Sequence, residues 1–236
     1  MKKIEIYLLC LCLTVCFLLV SCEKEKDGIH TILNPWVTYG TLTDIDGNTY
    51  KTIQIGTKTW MVRNLKTTRY NDGSPIQVVS DFKQWNTIAS PACCWQDNST
   101  IYKVTYGVLY NWYAVNTKKI CPVGWHISTD TEWNELISFL GGENLAGGKL
   151  KESGFSHWYS PNNGATDETH FRALPGGYKS SSDSLFHGLH EAGYWWTTTA
   201  NDDMALGRVM STSNNFVQKG FYPVSSGFSV RCIWNY

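Results

Sequence analysis

The chain carries no net charge: 20 Lys and Arg balance 20 Asp and Glu among 236 residues. Proteins that live on nucleic acid draw their affinity from a basic surface, so that class is excluded. There is no Cys-x-x-Cys, which removes zinc ribbons and thioredoxin-type redox sites. The N-terminal apolar run, Ile6 to Val20, stops at 15 residues, short of the roughly 20 that a spanning helix needs. No internal repeat recurs at a fixed period. Charged residues make up only 17%, but 42% hydrophobic content is enough for a core, so wholesale disorder is excluded. What is abundant is aromatic side chains, with 11 Trp and 13 Tyr, alongside 20 Gly. That mixture favours turn-rich β structure with rigid rings over a helical bundle. The length fits one domain, or one domain with an appendage.

The N-terminus reads as an address. Lys2 and Lys3 precede the apolar run, as in a secretory signal peptide. The run closes on Leu19-Val20-Ser21-Cys22, which resembles a bacterial lipobox. The resemblance implies cleavage before Cys22 and acylation there by diacylglycerol and a further chain such as palmitate. Two or more chains hold a protein stably on a membrane. The expected organisation is a signal peptide over 1–21, a lipidated Cys22 with a tether over 22–38, and one domain over 39–236. The charged run Glu23 to Gly28 resembles the surface-export signal of lipoproteins in the Bacteroidetes, interrupted by Lys24 and Lys26. The mature chain would hold 18 basic and 19 acidic residues. The expected location is the outer membrane, at the cell surface.

Cysteine usage agrees with export. Four Cys remain after Cys22: Cys93, Cys94, Cys121 and Cys232. An even number in an exported chain favours disulfides, with three possible connectivities. A bond between the neighbours Cys93 and Cys94 would be strained, because adjacent Cα atoms sit only about 3.8 Å apart. Cys121 and Cys232 are the better pair.

The body reads as one α+β domain. Thr41 to Ile55 alternates around Asp46-Gly47-Asn48, a hairpin signal. Trp60-Met61-Val62 suits a further strand. Tyr106, Leu109, Tyr110 and Tyr113 recur at helical spacing, predicting an amphipathic helix over 106–116. Thr129 and Glu132 form a capping box before Trp133, Leu136, Ile137 and Leu140, with Gly141 as the stop. Further strands are expected near 171–174, 193–199, 205–210 and 228–233, separated by long loops.

Eight blocks then carry a resemblance, one of them Glu132-Trp133. They include Asp46-Gly47-Asn48-x-Tyr50, Thr59-Trp60-Met61-x-x-Asn64-Leu65-Lys66, Tyr106-Gly107-x-Leu109-Tyr110-Asn111-Trp112, Cys121-Pro122-x-Gly124-Trp125-His126, Leu174-Pro175-Gly176-Gly177-Tyr178, Gly193-Tyr194-Trp195-Trp196 and Phe228-Ser229-Val230-Arg231-Cys232. In this order they resemble the Fibrobacter succinogenes major paralogous domain family. The resemblance implies a C-type-lectin-like fold, shared with the formylglycine-generating enzyme, with two main helices, short antiparallel strands and long loops. It also implies a Cys121–Cys232 bridge.

Catalytic patterns fail. The formylglycine-generating enzyme uses a late cysteine pair for copper, and none lies between Cys121 and Cys232. The segment 142–150 lacks the Gly and Ser/Thr of a phosphate-binding loop. Ser156 lacks the second Gly of a nucleophile elbow. His187-x-x-His190-Glu191 has no third metal ligand indicated, and Asp202-Asp203 has no Trp-Asn-Asp companion before Cys232, so no metal and no cofactor is expected. The ligand-binding candidates are aromatic. Trp195 and Trp196 are adjacent in an expected strand and face opposite ways, while Trp158 and Tyr159 lie in a polar loop. The expected function is a non-catalytic, membrane-anchored binding module for glycan or protein. The alternatives are an extracellular enzyme on glycan or protein, or a structural part of a surface assembly.

Overall fold

A computed structural model describes residues 37–235; the expected signal peptide, Cys22 and nearly all of the tether lie outside the described residues. No helix among the described residues is long and apolar enough to cross a membrane. Among the described residues, thirteen strands form three sheets. The hairpin expected around Asp46-Gly47 is present as β1 (Gly40–Thr43) and β2 (Thr49–Ile55), antiparallel with Leu42 opposite Tyr50. Asp44 fixes its turn by accepting from the backbone of Asp46 and Asn48 and from the Tyr50 hydroxyl. β3 (Lys58–Met61) continues the sheet, and β13 (Cys232–Trp234) sits between β3 and β7 (Trp125–Ile127).

The second sheet runs β12 (Gln218–Pro223), β11 (Met204–Ser211), β10 (Ala192–Asn201), β8 (Gly176–Lys179), β9 (Phe186–Leu189). β8 and β10 are parallel and the other pairs antiparallel. A small third sheet joins β4 (Gln77–Val78), β5 (Ala92–Cys94) and β6 (Leu109–Tyr110). The helices are short: α1 (Phe82–Thr87), α2 (Thr100–Tyr106), α3 (Trp112–Asn116), α4 (Asp130–Phe139) and α5 (Glu143–Leu150).

This corrects the expected fold class. The described domain is dominated by sheet and has no pair of main helices, so an α+β C-type-lectin-like fold is not what the chain forms. One expected helix, 106–116, is broken at its second residue. Gly107 takes φ 85°, and a β carbon there would lie 2.8 Å from Asn64 Cβ. The chain leaves α2, forms β6 and re-enters a helix only at α3. The tyrosines at helical spacing are thus shared among three elements. The stretch 171–174 makes a single bridge, Ala173 with Lys151, in place of a strand.

α4 forms as its capping box requires: Thr129 Oγ accepts from the Glu132 amide at 3.1 Å, and Glu132 accepts from the Thr129 amide at 2.9 Å. Its inner face carries Trp133, which meets Trp60 and Phe171 edge-on at 5.3 and 5.8 Å. Such contacts add about 0.5–1.5 kcal/mol each beyond their buried area. The Cys121–Cys232 disulfide is present, with Cα atoms 5.9 Å apart. Cys93 and Cys94 are free and buried; burial pushes the Cys93 thiol up to about 12 and raises Cys94 further above its usual range. Neither is a thiolate nucleophile at neutral pH.

Candidate functional site

Three of the four aromatic candidates are core residues. Trp195 is fully buried between Trp133 and Asn64, donating its indole N–H to Asn64 Oδ1 at 2.8 Å. Trp196, on the opposite face, is equally buried; it stacks on Phe228 at 4.1 Å and donates to the Tyr110 carbonyl. The two rings do point opposite ways, but both faces of β10 are covered there. Trp158 is buried beneath the Lys151 ammonium and donates to the Ala173 carbonyl. Only Tyr159 of the four is exposed, lying flat on His190 at 4.8 Å.

A partly exposed aromatic cluster lies one residue away from the Trp pair. Gly177 on β8 and Gly193 on β10 are register partners, so the next residues, Tyr178 and Tyr194, stand side by side. Tyr222 on β12 completes the group. Tyr178 and Tyr194 lie 4.6 Å apart, and Tyr194 meets Tyr222 at 6.2 Å, nearly perpendicular. All three pack on buried Phe228, at 6.0, 5.1 and 5.0 Å. The rings are therefore held rigidly from below while remaining only partly buried. None of their hydroxyls is a buried orphan or bonds to another described residue, so they open to solvent. Burial pushes the Tyr194 phenol up to about 12, with Tyr178, Tyr222 and Glu191 adding to it. Burial likewise raises Tyr222. All stay protonated at physiological pH and can donate as well as accept.

Two other polar clusters have the residue types of catalysis, but their groups are engaged with one another. Buried Glu152 accepts from His157 Nδ1 at 2.6 Å on one oxygen and from Arg172 Nη2 at 3.1 Å on the other. Burial alone would raise its carboxyl, yet the His157 bond and the two charges hold it below the ordinary value. His190 Nδ1 faces the His157 carbonyl at 2.8 Å, which can only accept, so that nitrogen carries the proton; Tyr106 Oη lies 3.2 Å away. His187 is paired with Asp183 instead of joining His190. Among the described residues, no group of three His, Cys, Asp or Glu is arranged to hold a metal ion. The second cluster is His126 Nε2 on Glu132, 2.8 Å, beside a groove of about 810 Å³ between α4 and the β2–β3 turn. Glu132 is already occupied by Thr129 and His126. The groove is lined by both polar residues, among them Lys58 and Glu135, and apolar ones, with Phe139 exposed on its wall.

These clusters set the pH dependence of stability. Burial lifts Asp167 to about 7 against the opposing Arg172 charge. The folded state then holds a proton that the unfolded state releases, so stability falls as pH rises from about 4 to 7. The hydrogen bond to Glu132 raises His126, whose contribution is present below its ordinary 6.5 and lost as pH climbs through the folded value. Glu132 and Glu152 are lowered, so their contributions are lost as pH falls below the ordinary 4.5. Urea midpoints are therefore expected to peak between about pH 4 and 5, to drop below that, and to fall as pH rises through about 7. A midpoint still climbing at pH 8 would contradict this assignment.

The family model of the Fibrobacter succinogenes major domain matches residues 53–234. The chain belongs to this family. No curated protein and no solved structure matches it. Within this Fibrobacter succinogenes major domain, the motif residues are framework. Asn64 Oδ1 accepts from both Trp195 and Arg231, while its Nδ2 donates to the Tyr106 carbonyl at 2.8 Å and to Ser229 Oγ. Arg231 is fully buried and also donates to the carbonyls of Met61, Phe171 and Arg172. Tyr178 and Tyr194 belong to the same motif blocks but face outward. Alternation alone does not mark them: Tyr194 shares its face of β10 with Trp196, which is fully buried.

Proposed function

We propose that this protein is a lipid-anchored binding module of the outer membrane, displayed at the cell surface, and that it is not an enzyme. Its ligand is a glycan or a protein, held on the Tyr178–Tyr194–Tyr222 face. The observation that carries the reading is this row of half-buried rings with open hydroxyls, running from β8 across β10 to the edge strand β12. Aromatic side chains with few rotatable bonds give large contact area at low entropic cost, the usual composition of binding surfaces. The disulfide and the lipobox-like Leu19-Val20-Ser21-Cys22 support an extracytoplasmic, membrane-tethered setting. The mutual saturation of Glu152, His157 and Arg172 supports binding over catalysis, because a carboxylate with both oxygens engaged is not a free base.

The test is a full-length chain carrying Tyr178→Ala, Tyr194→Ala and Tyr222→Ala together. Cells displaying it are expected to bind envelope proteins and extracellular glycans at least about tenfold more weakly than cells with the wild type, the effect of removing aromatic anchors. Undiminished binding by a folded triple variant would remove the site. The anchor has its own test: the intact mass is expected to correspond to a chain beginning at acylated Cys22, and retention of residues 1–21 would refute it.

A further inference from the structure

We propose that the ligand of the tyrosine face is an uncharged glycan, one pyranose of which lies flat on the outward side of Tyr222; this rests on the binding-module reading above. The argument begins with two glycines. Gly207 on β11 and Gly220 on β12 are register partners, and the Tyr222 ring leans over this pair. A β carbon on Gly207 would come within 3.1 Å of the ring, and one on Gly220 within 3.3 Å. Both positions must therefore lack side chains for the ring to lie down on the sheet. Its neighbours Tyr194 and Phe228 meet it at 85° and 71°, so neither stacks on it. One face of the ring is thus seated over the Gly207–Gly220 backbone, the ring stays partly exposed, and neither neighbouring ring lies flat on it.

That geometry selects among ligand classes. Protein anchors fill pockets. Here the platform is flat, and the two cavities near α4 and β1 are lined by other residues. A pyranose has an apolar, slightly positive C–H face that matches the negative face of an aromatic ring. Its hydroxyls radiate from the ring edge, where the open phenols of Tyr178, Tyr194 and Tyr222 can donate or accept. The ionisable groups beside the platform are Glu191, near Tyr194, and His187, 5.4 Å from the Tyr178 ring and itself paired with Asp183. The Glu191 carboxylate repels uronates and sulfated sugars, and among the described residues no Lys or Arg pairs with the three tyrosines, which favours neutral chains.

Isothermal titration of the full chain in detergent decides the matter. The probes are the neutral hexasaccharides cellohexaose, xylohexaose and mannohexaose, with polygalacturonate as the anionic comparison. At least one neutral probe is expected to bind saturably and more tightly than polygalacturonate. Tyr222→Ala is expected to weaken it about tenfold, equivalent to roughly 1.4 kcal/mol of stacking. Gly220→Val is expected to do the same while leaving every tyrosine in place, because its side chain lifts the ring; valine suits a strand, so the fold is retained. Tyr222→Phe keeps the platform and is expected to stay within about threefold, the share of one solvent-facing hydroxyl. Failure of all neutral probes, preference for polygalacturonate, or indifference to both Tyr222→Ala and Gly220→Val would overturn the glycan assignment. If the triple tyrosine variant still loses surface binding in that event, the binding-module reading survives with a protein ligand; if it does not, both fall.

Discussion

Replacing both Cys121 and Cys232 with serine is expected to lower stability by about 4–5 kcal/mol, because the bridge closes a separation of 111 residues and so restricts the unfolded chain strongly. Reduction of the wild type should have a similar effect, since Cys93 and Cys94 are buried and already free. Two further consequences separate this from an ordinary core substitution. The urea m-value should rise, because the unlinked chain expands further when it unfolds. The folded state should remain native in outline, because β13 is also held by backbone pairing to β3 and β7. Urea titration of the double variant against wild type, with and without reductant, measures all of this. A loss below about 1 kcal/mol would show that the unfolded chain is already compact without the link.

Arg231→Met is expected to cost about 3–5 kcal/mol, the range seen when a buried charged group is removed from partners that stay behind. The reason is particular to this side chain. Its guanidinium serves Asn64 Oδ1 at 2.7 Å and the carbonyls of Met61, Phe171 and Arg172 at 2.8 to 3.1 Å, and it lies 4.3 Å from the Phe171 ring centre. Burial pulls its pKa well below the usual range, with the nearby Arg63 acting in the same direction. Methionine matches much of the volume but leaves four oxygens short of a donor in the interior. Arg231→Lys keeps the charge but lacks the planar fork, so one ammonium cannot reach all four acceptors, and most of the loss should remain. If Arg231→Met unfolds at the wild-type urea midpoint, the hub described around Asn64 is not what holds the two sheets' neighbouring segments.

Local rules were the legible part of this chain. The Asp46-Gly47 hairpin, the Thr129–Glu132 box and the Cys121–Cys232 pairing each depend on residues whose chemistry is visible in order along the sequence. The helix over 106–116 misled because periodicity says nothing about what must approach the backbone. Asn64 and Leu65 pass so close to Gly107 that the helix has to end there. α5 was missed for a related reason. Gly147 and Gly148 weaken a helix on propensity, yet the backbone at 215–216 and at 164 packs where their side chains would be. The same limit governed the binding surface. Adjacent Trp residues drew attention because indoles are large, but which face of β10 is roofed depends on Phe228 and α4, both remote in sequence. Tyr222 and its two glycines could be grouped only once the β11–β12 register was known.

The seat of β13 has a kinetic consequence. The strand lies between β3 and β7, although it is made more than a hundred residues after the latter. A growing polypeptide that has reached only Val230 cannot complete the first sheet, and two strand borders stay unmatched until the closing piece arrives. Completion of that sheet therefore waits until residues 232–234 have been made. Such a chain can be threaded through a narrow conduit before it acquires its final shape, and it is vulnerable to self-association for as long as that gap stands open.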